Sequence, residues 1–119
     1  LEKEFGTFGR MAYADFWGVD GGALDDIVYL ERICRIAIER SNATILKDVK
    51  HKFTPQGCTI LFLLSESHFA IHAAPESNYI AIDAFTCSED CHPDKSIDYM
   101  ALVLQPTVIK RNSVIRGVQ

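Results

Sequence analysis

From Arg10 to Trp17, aromatic and small apolar residues form a short run that stops at Gly18, Asp20, Gly21 and Gly22, the pattern of a strand entering a turn. The period then changes. Between about Ala23 and Arg40, Ile27, Leu30, Cys34 and Ala37 recur at helical spacing, with Asp25 and Asp26 near the positive N-terminal end and Arg40 near the other. Ala43 to Val49 is a short strand candidate, and Phe53-Thr54-Pro55-Gln56-Gly57 carries the proline and glycine of a chain reversal. Cys58 to Leu64, Phe69 to Ala73 and Tyr79 to Thr86 are rich in Ile, Leu and Phe and too short between turn signals for globular helices, which predicts strands. His92 to Leu104 is a second predicted helix with Pro93 in its first turn, and Thr107 to Ile115 is a last strand after Pro106. Strand, helix, four strands, helix, strand is the order of an α+β fold: a two-layer sandwich with a mainly antiparallel sheet packed on two helices.

Composition narrows the function classes. A chain of 119 residues fits a single domain spanning 1–119, with no repeats or linkers. With 48% hydrophobic residues it has enough apolar surface to build a core, so folding is expected. The net charge of -4 and the lack of a Lys/Arg run argue against a nucleic-acid partner. No apolar stretch approaches the length of a membrane span, and Leu1-Glu2-Lys3-Glu4-Phe5 lacks the layout of a signal peptide. A cytoplasmic protein without a membrane partner is expected, with Cys34, Cys58, Cys87 and Cys91 as free thiols.

Polar chemistry concentrates between residues 65 and 92. Cys87, Cys91 and His92, with His68 and His72 upstream, invite a metal reading, but the paired ligand spacing of a zinc knuckle is missing. His68 and His72 on one strand face the same side about 13 Å apart, too far to share an ion, so no metal is expected. In Leu64-Ser65-Glu66-Ser67-His68-Phe69-Ala70-Ile71-His72-Ala73-Ala74-Pro75-Glu76, Ser, His and Glu interrupt a buried strand pattern, and buried polar groups need partners or a purpose. Three readings stay open on side chains alone: hydrogen-bonded residues at strand ends, a serine nucleophile with a histidine base, or a cysteine nucleophile at Cys87. Neither a Gly-x-Ser-x-Gly elbow nor a phosphate-binding loop is present.

Phe8-Gly9-Arg10, Phe53-Thr54-Pro55-Gln56-Gly57, Glu66-Ser67-His68, Ile71-His72, Pro75-Glu76 and Asp83-Ala84-Phe85-Thr86-Cys87 together resemble the bacterial and archaeal S-adenosylmethionine decarboxylase precursors. The resemblance runs from about Gly9 to Lys95 in matching order and spacing. It implies a proenzyme in which the Ser67 hydroxyl attacks the Glu66 carbonyl, and the resulting ester breaks by β-elimination. Residues 1–66 then separate from 67–119, and Ser67 becomes a covalent pyruvoyl cofactor. By the same resemblance His72 takes the proton in the elimination, and Cys87 protonates the product, a task that suits a thiol. Residues 67 and 72 have opposite parity on a regular strand, so this role for His72 requires a bulge or bend between them.

For the substrate, Phe53 matches a family aromatic that stacks on adenine, and Glu76 a carboxylate that accepts hydrogen bonds from ribose hydroxyls. The chain departs from the family at Ala73-Ala74, where Thr-Trp is usual, so half of the aromatic clamp is missing. Ser77-Asn78, Met11 and Asp94 depart as well. S-adenosylmethionine is the substrate the resemblance implies, with decarboxylated S-adenosylmethionine for spermidine synthesis as product. Relatives that use pyruvoyl chemistry on arginine or ornithine offer an alternative, in which Glu76 pairs with a basic side chain. A second alternative is an uncut, non-catalytic binding relative. The family precedent implies a homodimer with active sites near the interface, and one 119-residue layer pair has little room to enclose a nucleoside.

Overall fold

The computed structural model describes residues 7–119; residues 1–6, on which the reading of a missing signal layout rests, lie outside them. Strand β1 (Gly9–Trp17) runs into a turn whose Asp20 carboxylate accepts the Ala23 N–H at 3.0 Å, starting a one-turn helix, α1 (Gly21–Leu24). The single helix expected over 23–40 is therefore two. Asp25 closes α1, and Asp26 opens α2 (Ile27–Arg40) by accepting the Tyr29 N–H at 3.0 Å. An aspartate that caps a helix start cannot also lie inside a preceding one, which is why the break falls between these two carboxylates.

Next come β2 (Ile45–Lys52), β3 (Cys58–Leu64), β4 (Ser67–Ala74), a 3-10 turn (Pro75–Ser77), β5 (Tyr79–Thr86), α3 (Pro93–Leu104) and β6 (Val108–Arg116). The six strands form one sheet in the order β2-β3-β4-β5-β1-β6, and every neighbouring pair is antiparallel. Strand β2 extends to Lys52, beyond the apolar pattern that ended at Val49. It is an edge strand, and its last two lysines pair with acids instead of entering a core: Lys50 Nζ lies 2.9 Å from Glu31 and Lys52 Nζ 2.7 Å from Asp25.

Helices α2 and α3 cover one face of the sheet. Leu30, Cys34, Ala37 and Ile38 of α2 and Ile97 and Met100 of α3 pack on Phe16, Ile60, Phe62, Phe69, Ile71, Ile80 and Ile82, which alternate along the strands. This is the two-layer α+β sandwich read from the sequence, with the short α1 added. On the opposite face the described residues provide no second layer: Leu61, Leu63 (52% exposed) and Val49 (67% exposed) stand open on β3 and β2, and Tyr13, Val108 and Val114 on β1 and β6 at the other side of the sheet. No helix among the described residues is long and apolar enough to cross a membrane.

Candidate active site

Two residues, Ser65 and Glu66, link β3 to β4, because Leu64 and Ser67 are directly paired. The turn is tied down at both ends of the Thr44 peptide group: the Ser65 N–H donates to the Thr44 carbonyl, and the Thr44 N–H donates to Glu66 Oε1, each at 3.0 Å. The Glu66 carbonyl oxygen is held from the other side by the Cys87 N–H at 2.8 Å. Between these anchors Ser67 takes φ 147, a backbone region that suits glycine. Such a conformation costs about 1–3 kcal/mol and persists only where the surroundings impose it. The strained residue sits at the bond between Glu66 and Ser67.

Twenty residues on, Cys87 leaves the end of β5, and its Sγ lies 3.2 Å from Ser67 Oγ. The loop that follows is docked on the C-terminal end of α2. Asn42 Nδ2 donates to the Asp90 carbonyl at 3.0 Å, Cys91 Sγ donates to the Asn42 carbonyl at 3.2 Å, and the His92 N–H donates to the Ser41 carbonyl at 2.9 Å. Cys87 is exposed, whereas Cys34, Cys58 and Cys91 are buried and their thiol pKa values are pushed up by desolvation. Thr44, Ser41 and Asn42, which position the turn and the loop, were not identified from the sequence. Ser41 and Thr44 act through backbone groups, and Asn42 through its side chain on a distant backbone carbonyl, so none leaves a mark in a pattern of residue types.

The other expected site residues lie elsewhere in the chain. Strand β4 keeps one unbroken register with both neighbours from Ser67 to Ala74, so the bulge that a same-chain role for His72 requires is absent. At the usual rise per residue His72 stands about 16 Å from Ser67. It is exposed on the open face, with Nδ1 3.0 Å from Thr59 Oγ1. Farther along, the Phe53 N–H donates to the Gly57 carbonyl at 2.8 Å, and Phe53 is exposed with its ring 4.7 Å from that of His51. Gly57 has φ 98, and a Cβ there would approach the Ala73 carbonyl to 2.9 Å, so a residue without a side chain lets this hairpin close against Ala73 and Pro75; the next residue, Glu76, is exposed. One chain therefore gathers Glu66, Ser67 and Cys87 at one end of the sheet and His72, Phe53 and Glu76 toward the other, with the Ala74 end about 23 Å from Ser67.

Ala74, where the resembling proteins carry Trp, pairs with Tyr79, which pairs with Trp17. The Tyr79 ring lies 5.4 Å from the Trp17 ring. Its hydroxyl donates to Asp15 at 2.5 Å, and that bond, with burial, pushes the phenol pKa up to about 12. This tyrosine is committed to β1, and Ala74 is half-buried. Among the described residues no three His, Cys, Asp or Glu side chains converge as a metal site.

Comparison with known proteins identifies the family. The profile of the family described as S-adenosylmethionine decarboxylase matches residues 10–117. The chain is 42% identical over 115 residues to S-adenosylmethionine decarboxylase proenzyme 2 of Bacillus cereus, covering 97% of this chain and 94% of that protein. It is 36% identical over 110 residues to the S-adenosylmethionine decarboxylase proenzyme of Methanococcus maripaludis, covering 92% and 90%. The crystal structure of the adenosylmethionine decarboxylase from Aquifex aeolicus superposes with a TM-score of 0.88 at 29% identity, covering 95% of this chain and 93% of that one. Fold, profile and relatives agree, and the chain belongs to the S-adenosylmethionine decarboxylase family.

Proposed function

We propose that this chain is the precursor of a pyruvoyl-dependent S-adenosylmethionine decarboxylase that cuts its own Glu66–Ser67 bond into residues 1–66 and 67–119. The observation that carries this reading is the state of the bond itself. Its carbonyl oxygen is gripped by the Cys87 N–H at 2.8 Å, Ser67 is strained at φ 147, and the Ser67 hydroxyl stands beside an exposed thiol. A gripped carbonyl oxygen favours attack on its carbon, and strain relieved by the attack lowers the barrier. The Ser67 oxygen replaces the peptide nitrogen on the Glu66 carbonyl carbon; the ester then loses a proton from Cα of residue 67, and the bond from Cβ to oxygen breaks, freeing the Glu66 carboxylate. The dehydroalanine left at residue 67 tautomerises to an imine, which takes up water and releases ammonia to give the pyruvoyl ketone.

The surroundings fit a pyruvoyl group at residue 67, because the Cys87 thiol already lies 3.2 Å from the Ser67 oxygen, whose carbon stays behind as the pyruvoyl methyl. That group supplies a carbonyl that takes up the substrate amine and accepts the electron pair released as carbon dioxide leaves. Cys87 is the donor that returns a proton to the substrate carbon. Phe53 offers a ring for adenine, and Glu76 a carboxylate for the ribose hydroxyls.

His72, Phe53 and Glu76 reach the Ser67 end of the sheet only from a second copy. We assign the open sheet face to a homodimer interface, with a two-fold axis running across the strands so that each Ser67 end lies against the partner's opposite end. Apolar residues exposed on that face support the assignment. The function is tested by supplying the cut protein separately with carboxyl-labelled S-adenosylmethionine, arginine and ornithine. Labelled carbon dioxide from S-adenosylmethionine alone is expected; release from a basic amino acid instead, or from none, would overturn the assignment.

A further inference from the structure

Thr86 is the last residue of β5 and stands directly opposite Ser67. Its side chain is enclosed, at 1% exposure, and its hydroxyl has no hydrogen-bond partner among the described residues. Valine has nearly the same shape and would fill the same space without an unpaired polar atom, so packing does not account for the hydroxyl.

The register indicates what the hydroxyl is near. The Cys87 N–H donates to the Glu66 carbonyl, which makes residues 66 and 87 a hydrogen-bonded pair. Antiparallel pairs alternate, so Ser67 and Thr86 form the other kind, with Cα atoms about 4.5 Å apart, while Ser67, at φ 147, turns its hydroxyl to Cys87 Sγ. The Cys87 nitrogen that grips the Glu66 oxygen is bonded directly to the carbonyl carbon of Thr86. The unpaired hydroxyl thus belongs to the residue that forms one half of the grip on the bond to be cut.

Resting on the self-cleavage set out above, we propose that Thr86 is a second donor to the Glu66 oxygen during processing. When the Ser67 oxygen bonds to the Glu66 carbon, its proton passes to solvent and the carbonyl electron pair moves onto the Glu66 oxygen. The pair returns as the bond to the Ser67 nitrogen breaks and that nitrogen takes up a proton. Thr86 donates to the oxygen while it carries the extra charge. A donor that is unpaired in the precursor and paired only at this stage lowers the barrier, because its bond is not already made in the ground state.

The test follows fragment formation after a short pulse of cell-free synthesis, with denaturing electrophoresis of wild type, Thr86→Val, Thr86→Ala and Thr86→Ser. Thr86→Val and Thr86→Ala are expected to cut about 100-fold more slowly, the scale of a lost oxyanion donor, and Thr86→Ser at close to the wild-type rate. In an uncut Ser67→Ala background, Thr86→Val is expected to keep or raise the thermal midpoint, which separates the effect from misfolding. Thr86→Val cutting as fast as wild type, or Thr86→Ser as slow as Thr86→Val, would overturn this inference alone. A wild-type chain that never cuts would overturn the self-cleavage reading together with it.

Discussion

The division of labour at Cys87 is between its backbone and its side chain. Its N–H holds the Glu66 carbonyl, while its thiol lies beside Ser67. Cys87→Ala keeps the amide, so it is expected to yield both fragments but to turn over at least about 100-fold more slowly, the lower range for a lost general acid. Ser67→Ala removes the attacking oxygen and is expected to leave one uncut chain. Intact mass and steady-state decarboxylation check both. Position 74 sets a second expectation. Tyr79 is bonded to Asp15 and does not replace the missing aromatic, and Ala74→Trp is expected to lower KM for S-adenosylmethionine about ten- to hundredfold, the worth of one base-stacking aromatic. At this scale Ser67 was legible through its motif. Its contact with Cys87 was not, since residues twenty apart meet only when β4 and β5 pair.

At the level of elements, short apolar runs bounded by turn residues were enough to place β1, β3 and β5, and helical spacing after Pro93 to place α3, each within about a residue. The break between α1 and α2 was not visible, since Asp25 and Asp26 equally suit the first turn of one long helix. What separates them is tertiary: the Asp25 carboxylate accepts from Lys52 Nζ at 2.7 Å and from the Gly57 N–H at 3.0 Å, which commits it to the β2–β3 hairpin. The Lys52 ammonium, then the Gly57 N–H, hold the Asp25 carboxyl below the usual carboxylate range, and Lys50 followed by Arg35 does the same for Glu31. For groups with a depressed folded pKa, the stabilisation is complete above the ordinary carboxylate value near 4 and is lost as pH falls through the folded values. Thermal melts of uncut Ser67→Ala protein are therefore expected to drop as pH falls below about 4, and the drop is expected to be smaller in Asp25→Asn.

Across the whole molecule, the sheet is finished on one face and open on the other. The open face was only partly legible, because a strand such as Thr59-Ile60-Leu61-Phe62-Leu63 is apolar at almost every position and does not show which side meets the helices. The regular register of β4 carries the main consequence: Ser67 and His72 of one chain do not meet. Ser67→Ala lacks the nucleophile but keeps His72, and His72→Ala keeps the nucleophile but lacks the histidine. Each is expected to stay uncut when expressed alone, whereas co-expression is expected to restore cutting of the His72→Ala chain in mixed dimers. A His72→Ala chain that remains whole in such a mixture would count against a site shared between two copies.

All of this depends on the fate of one peptide bond, and the intact mass of the freshly purified wild-type chain under denaturing, reducing conditions reports it directly. Two species are expected, of about 7.4 and 5.9 kDa, the 13.3 kDa chain divided in proportion to 66 and 53 of its 119 residues, with the second starting in a blocked pyruvoyl group. A single 13.3 kDa species that persists on long incubation would contradict self-cleavage at Glu66–Ser67.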